Sequence, residues 1–136
     1  MAKLFLDTSF AIALASKRDQ YHAKALDLSR RIRETDDQLI TTIPVIFEIG
    51  NSLAKQSFRP AAVSLVSSLH SDPRVTVVSL DQDLYHRAFT LFTDRKDKNW
   101  GLTDCVSFVV MEDNSIQNAP TADNHFHQAG FTPMLS

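Results

Sequence analysis

The chain has a single cysteine, Cys105, in 136 residues. One thiol excludes an intramolecular disulfide and suits a reducing compartment. Long apolar runs are missing too. None approaches the ~20 residues that cross a bilayer, and residues 1–20 carry Asp7 without a signal-peptide pattern. Nor is there an excess of either charge: a net −2 gives no global signature of nucleic-acid binding, so any basic surface must be local. No repeat, low-complexity tract or linker divides the chain, and its length suits one domain with one core. The expectation is a single, cytoplasmic domain outside the membrane.

What is present is an alternation of short apolar runs with helical patterns. Leu4-Phe5-Leu6 runs without alternation into Asp7-Thr8-Ser9, followed by the helical pattern Phe10 to Leu14. Such a run reads as a strand buried on both faces, as in a parallel sheet. Tyr21, Ala25, Leu28 and Ile32 mark one face of an amphipathic helix ending near Thr35. Leu39-Ile40-Thr41 is a second strand, Thr42 an N-cap, and Pro44 to Lys55 a helix carrying Glu48 and Asn51 on one face. Arg59-Pro60 opens another helix, and Val75 to Val78 is a third strand. Asp81 caps a helix whose apolar face is read as Leu84, Tyr85, Ala88, Leu91 and Phe92. After the loop Arg95 to Gly101, Thr103-Asp104 starts an apolar helix. Ala119 to Ala122 is a fourth strand, and Phe131 to Leu135 a last one at the edge. Strands alternating with helices indicate an α/β domain with a mostly parallel sheet.

Right-handed crossovers bring the carboxyl ends of parallel strands to one edge, where open α/β sheets bind ligands. Asp7 and Asp123 end predicted strands, Glu48 lies in the first turns after strand two, and Asp104 stands in the first turn of its helix. Each acid also has a plain structural use. Asp7 or Ser9 can cap a helix, Asp104 and Asp123 can serve a helix dipole, and Glu48 can be a solvated helix residue. Four carboxylates converging with few basic partners would repel one another. Such a cluster is tolerable chiefly around a hard divalent cation that prefers oxygen ligands.

The motifs L-D-T-S, P-V-I-F-E-I-G-N, W-G-L-T-D-C and T-A-D-N-H-F, in that order along nearly the whole chain, resemble the PIN-domain ribonucleases, and most of all their VapC-like toxin branch. The resemblance implies a sheet of about five parallel strands in the order 3-2-1-4-5, flanked by helices, and RNA cleavage dependent on Mg²⁺ or Mn²⁺. Asp7, Glu48, Asp104 and Asp123 match the family's four acidic positions, as catalytic and metal-binding residues, and Ser9 matches its hydroxyl beside the first acid. Asn51, Thr103 and Asn124 lie beside matched acids and are candidates only for supporting them. The chemistry implied is attack by a metal-activated water, leaving 5′-phosphate and 3′-hydroxyl ends. The resemblance also implies a small antitoxin partner and a homodimer, for which Leu53 and Val63 are interface candidates if exposed and core residues if not.

Two departures stand out. Cys105 occupies a position where some relatives have a further acid, and Pro120 falls inside what should be a central strand, where it removes a ladder donor. Arg95, Lys96, Lys98 and Trp100 form a basic, partly aromatic loop. It could hold phosphates and stack a base, or be a solvated loop around a buried tryptophan. Lys17-Arg18 and Arg30-Arg31-Arg33 carry the same ambiguity. His125 and His127 lie near Asp123, but no spaced His or Cys set completes a zinc site. Two other classes compete. A haloacid-dehalogenase-like phosphatase would want a second aspartate where Ser9 stands, and a non-catalytic α/β interaction module would use the acids only as caps.

Overall fold

The computed structural model describes residues 2–136. Strands β1 (Lys3–Phe5), β2 (Gln38–Thr42) and β3 (Val75–Val78) form a parallel sheet in the order β1-β2-β3. Its register sets Leu4 opposite Leu39 and Leu39 opposite Val75. Leu4, Phe5, Leu39 and Ile40 are all buried, as strands covered on both faces must be. The crossover from β1 to β2 contains α1 (Thr8–Ala15) and α2 (His22–Thr35), and the next contains α3 (Ile43–Ser52) and α4 (Arg59–Ser71). From β3 the chain runs through α5 (Gln82–Asp94) and α6 (Leu102–Asp113) to β4 (Asn118–Ala119), then through α7 (Asn124–Gln128) to β5 (Thr132–Pro133).

The boundaries have local causes. Thr42 accepts a hydrogen bond from the Val45 N–H at 3.3 Å, with Pro44 in the first turn of α3. Asp81 accepts from the Leu84 N–H at 2.8 Å and so starts α5. Asp36 closes α2 in the left-handed region, with φ of 56°, a conformation that aspartate tolerates better than most residues.

The hydrogen-bonded ladder is not one sheet of five strands. Among the described residues it divides into the three-stranded sheet and a separate parallel pair, β4 with β5. β4 lies beside β1, and the division falls at the fully buried Pro120. Proline has no N–H to give a neighbouring strand, so the fourth strand ends at Ala119 instead of running to Ala122. Bonding to the last segment continues past it, from the Leu135 N–H to the Thr121 carbonyl at 3.0 Å. The chain therefore passes from Pro120 to Asp123 without strand geometry, directly over the end of β1.

Beneath α6 the core is aromatic. Phe126 is fully buried, with its ring centroid 5.1 Å from Phe108 and 6.2 Å from Phe5. This packing seats α7 against the sheet. The buried face of α5 is Leu84 and Ala88, with Leu91 half-buried. Tyr85 and Phe92, read from sequence as part of that face, are exposed and form a row with Phe89 (centroids 6.2 and 6.4 Å apart). They sit about 100° around the helix from the Leu84 stripe, on its solvent side. Leu53 belongs to the core, whereas Val63 is exposed. Arg30 pairs with Asp27 and Glu34, and Arg31 with Asp27, all on the exposed side of α2. These arginines are neutralised by their own helix.

Candidate active site

Asp7 follows β1 and stands at the N-cap of α1, yet its side chain makes no capping bond. Its carboxylate is 5 % exposed and accepts a hydrogen bond from the Thr121 hydroxyl at 2.8 Å. The Ser9 hydroxyl lies 3.3 Å from the same oxygen and 2.8 Å from the Thr121 hydroxyl. With Thr121 donating its one hydrogen to Asp7, Ser9 is the donor in the contact between the two hydroxyls. Two backbone groups lock this pair: Ala122 N–H donates to Ser9 at 3.1 Å, and Asp123 N–H to Thr121 at 3.0 Å. The irregular segment after Pro120 is thus tied to the end of β1.

Burial pushes the Asp7 carboxyl up from an ordinary 3.8 to about 6. The Thr121 hydrogen bond works against this, while the charges of Asp123 and Asp104 add to it. Asp104, in the first turn of α6, is also raised, first by burial. Its carboxylate accepts from the Gly101 N–H at 3.1 Å, so it caps its helix as well as facing the cluster. Asp123 likewise caps α7, accepting from the His125 N–H at 2.9 Å. The His125 Nδ1 lies 3.0 Å from Asp104 and 3.5 Å from Asp123. Asp104, Asp123 and His125 each offer one ligand atom, and the three atoms lie within 4.8 Å of one another. Two carboxylate oxygens and an imidazole nitrogen, beside a third carboxylate that feels their charge, fit a divalent cation.

Glu48 is held differently. It accepts a hydrogen bond from the Thr8 hydroxyl at 2.7 Å and lines a cleft of about 350 Å³ with Pro44, Phe47, Asn51, Leu80 and Thr103. It stands outside the group formed by Asp104, Asp123 and His125. Asn124 is exposed at the start of α7. The basic loop gives a correction at Trp100, which is only 5 % exposed and cannot serve as a stacking platform for a base. Its ring meets the edge of Phe108, its Nε1–H donates to Gln128 at 3.0 Å, and the Arg95 guanidinium covers it 4.9 Å from the centroid. Arg95 also makes two hydrogen bonds to Asp97, at 3.0 and 3.1 Å. Lys98 lies 3.7 Å from Asp97, and Lys96 is exposed.

Sequence reasoning missed Thr8 and Thr121 and gave His125 no role. A signal existed, because each lies within two residues of a matched acid. What the sequence does not carry is the contact of Thr121 with Asp7 across 114 positions.

Compared with known families, residues 4–132 match the PIN domain. This chain belongs to the PIN domain family. Membership removes the haloacid-dehalogenase-like alternative, and the architecture is the α/β PIN fold. Among PIN relatives, the 23S rRNA-specific endonuclease VapC20 of Mycobacterium tuberculosis is 29 % identical over 128 residues, covering 94 % of this chain and 95 % of that protein. It is matched in both the CDC 1551 and H37Rv strains. The crystal structure of M. tuberculosis VapC20, described as a sarcin-ricin loop cleaving toxin, superposes with a TM-score of 0.82 at 28 % identity, covering 95 % of this chain and 96 % of that one. VapBC2 from Rickettsia felis, bound to a promoter DNA fragment, gives 0.66 at 14 % identity over 97 % and 96 %, a likeness of fold alone.

The buried Asp7 makes a stability prediction for the metal-free protein. A folded-state value near 6 against 3.8 when exposed favours the protonated form in the fold. That stabilisation is fully present below pH 3.8 and is lost as pH rises through about 6. The loss is on the order of 3 kcal/mol. Asp7→Asn keeps an acceptor for Thr121 and cannot ionise. In EDTA, urea unfolding should find it close to the parent near pH 4 and the more stable of the two above pH 7. A variant less stable than the parent at pH 7.5 would show that the Asp7 charge is not a strain on the fold.

Proposed function

We propose that this chain is a divalent-metal-dependent ribonuclease and the toxin of a type II toxin–antitoxin pair. The observation that carries the reading is the meeting of Asp7, Asp104 and Asp123, from three separate segments, around a carboxyl pushed up to about 6. The substrate class rests on the M. tuberculosis relatives, which are 23S rRNA-specific endonucleases. Asp7, Asp104 and Asp123, with Glu48 at the margin, would hold Mg²⁺ or Mn²⁺. The chemistry supplied by such a cation is counter-charge at the scissile phosphate and a lowered pKa for an adjacent water.

The chain's own groups position the centre. Thr121 and Ser9 fix Asp7, Thr8 fixes Glu48, and Gly101 and His125 orient Asp104. Asn51 and Thr103 line the cleft beside Glu48, where Phe47 is 67 % exposed. A water attacking phosphorus in line expels the 3′ oxygen, leaving a 5′-phosphate and a 3′-hydroxyl. Arg95, Lys96 and Lys98 would contact phosphates, with Asp97 as a competitor that the phosphate must displace from Arg95.

The reading includes an antitoxin and a homodimer. Two apolar surfaces support it: the Tyr85, Phe89 and Phe92 row, and a cleft of about 510 Å³ between α3 and α4 lined by Ile46, Val63 and Val66. It also includes a cytoplasmic location; among the described residues no helix is long and apolar enough to cross a membrane. We further read the two sheets as one interrupted series in the order 3-2-1-4-5, supported by β4 lying beside β1.

Incubating the protein and Mn²⁺ with an RNA hairpin of the sarcin–ricin loop, then mapping the ends of the fragments, tests the function. Cleavage should stop in EDTA and return with Mg²⁺ or Mn²⁺, and the downstream fragment should carry a 5′-phosphate. A 2′,3′-cyclic phosphate on the upstream fragment, formed in EDTA, would mean attack by the ribose hydroxyl and would exclude this mechanism.

Replacing Arg95, Lys96 and Lys98 together with Ala should weaken RNA binding and reduce the slope of log K against log [salt] by about 2 to 3. A slope equal to the parent's would make the loop a solvated surface only.

A further inference from the structure

We propose that His125 is a ligand of the cation, placing an imidazole nitrogen beside the Asp104 and Asp123 oxygens and biasing the centre towards Mn²⁺ over Mg²⁺. The proposal rests on the metal-dependent reading above and changes its ligand set. That reading used four carboxylates; the geometry groups two of them, Asp104 and Asp123, with a nitrogen, leaving Asp7 beside them and Glu48 apart.

Three observations carry it. First, His125 Nδ1 points at the space the two acids share, 3.0 Å from one and 3.5 Å from the other. In the metal-free protein Nδ1–H donates to the Asp104 carboxylate; a cation taking that hydrogen's place would be met by the Nδ1 lone pair, with the ring hydrogen on Nε2. Secondly, the ring is held there by built structure. The His125 backbone N–H donates to Asp123 at 2.9 Å, and the next residue, Phe126, is fully buried against Phe5 and Phe108. Thirdly, Glu48 is engaged by Thr8 at 2.7 Å and lies outside this group, so the fourth acid is not needed to complete a compact donor set.

The donor chemistry sets the preference. Mg²⁺ keeps to oxygen ligands and gives up water reluctantly. Mn²⁺ also takes oxygen ligands but is the first member of the transition series whose affinity for nitrogen donors rises from it, so one imidazole costs it less. Among oxygen-only sites the two ions differ less. One nitrogen in the first sphere therefore separates Mn²⁺ from Mg²⁺ without any change in the acids.

Mn²⁺ is also the probe. The metal-free full chain titrated with Mn²⁺ and followed by electron paramagnetic resonance gives the affinity, and pulsed measurements on the bound ion detect directly coordinated ¹⁴N. We expect an imidazole nitrogen signal in the parent that is absent in His125→Ala. We also expect about a tenfold or greater loss of Mn²⁺ affinity in that variant, with a much smaller change for Mg²⁺. Tight Mn²⁺ without nitrogen coupling in the parent would overturn the His125 assignment and leave the metal-dependent reading intact. No Mn²⁺ binding at all would overturn both. The parent spectrum decides even if the variant fails to fold.

Discussion

A negative charge buried where two sheets meet is the constraint on which this structure turns. Asp7 sits past the end of β1 with the Thr121 hydroxyl at 2.8 Å, the Ser9 hydroxyl at 3.3 Å and the Thr8 backbone N–H as its donors, and no cationic partner. Its nearest charged influences, Asp123 and Asp104, are of the same sign. Taking a carboxylate from water is costly unless it is paired or coordinated. The surrounding hydroxyls reduce that cost without removing it, since Asp7 remains raised to about 6. An arrangement built for stability alone would place an arginine or an apolar residue there. A centre built to receive a cation would leave the charge uncompensated, and that is the state of Asp7.

The break in the sheet belongs to the same constraint. Pro120 ends β4 early, and the freed segment carries Thr121 to Asp7, the Ala122 N–H to Ser9, and Asp123 towards Asp104. A regular strand through residue 122 would send alternate side chains to opposite faces, separating Thr121 from its neighbours. Regular pairing is given up where the candidate site needs several adjacent residues to turn the same way. The fold also reuses its caps: Asp104 and Asp123 satisfy helix N-termini and face the cluster at once. Capping and facing the cluster, set against each other in the sequence, are done here by the same oxygens, Oδ2 of Asp104 and Oδ1 of Asp123.

Much of this was legible beforehand, for local reasons. The strand at Leu4 announces itself as a short run without alternation and those at Leu39 and Val75 by their short apolar, β-branched runs, and Thr42 and Asp81 act as the caps their positions require. What could not be read depends on distance in space. The α5 row was misassigned because its aromatic residues match a core stripe in type, and only the packing of α6 decides which side is covered. Trp100 was ambiguous for the same reason, its burial being set by Phe108 and Gln128. His125 looked unpaired when sought as part of a zinc set. Its partners are carboxylates, one of them 21 residues away.

A crystal of the full chain soaked in Mn²⁺ and measured at the manganese absorption edge bears most directly on whether these acids form one metal centre. The proposed centre requires an anomalous peak bonded to Asp104 and Asp123 and adjacent to Asp7. A saturated crystal with manganese only elsewhere, or with none, would contradict it.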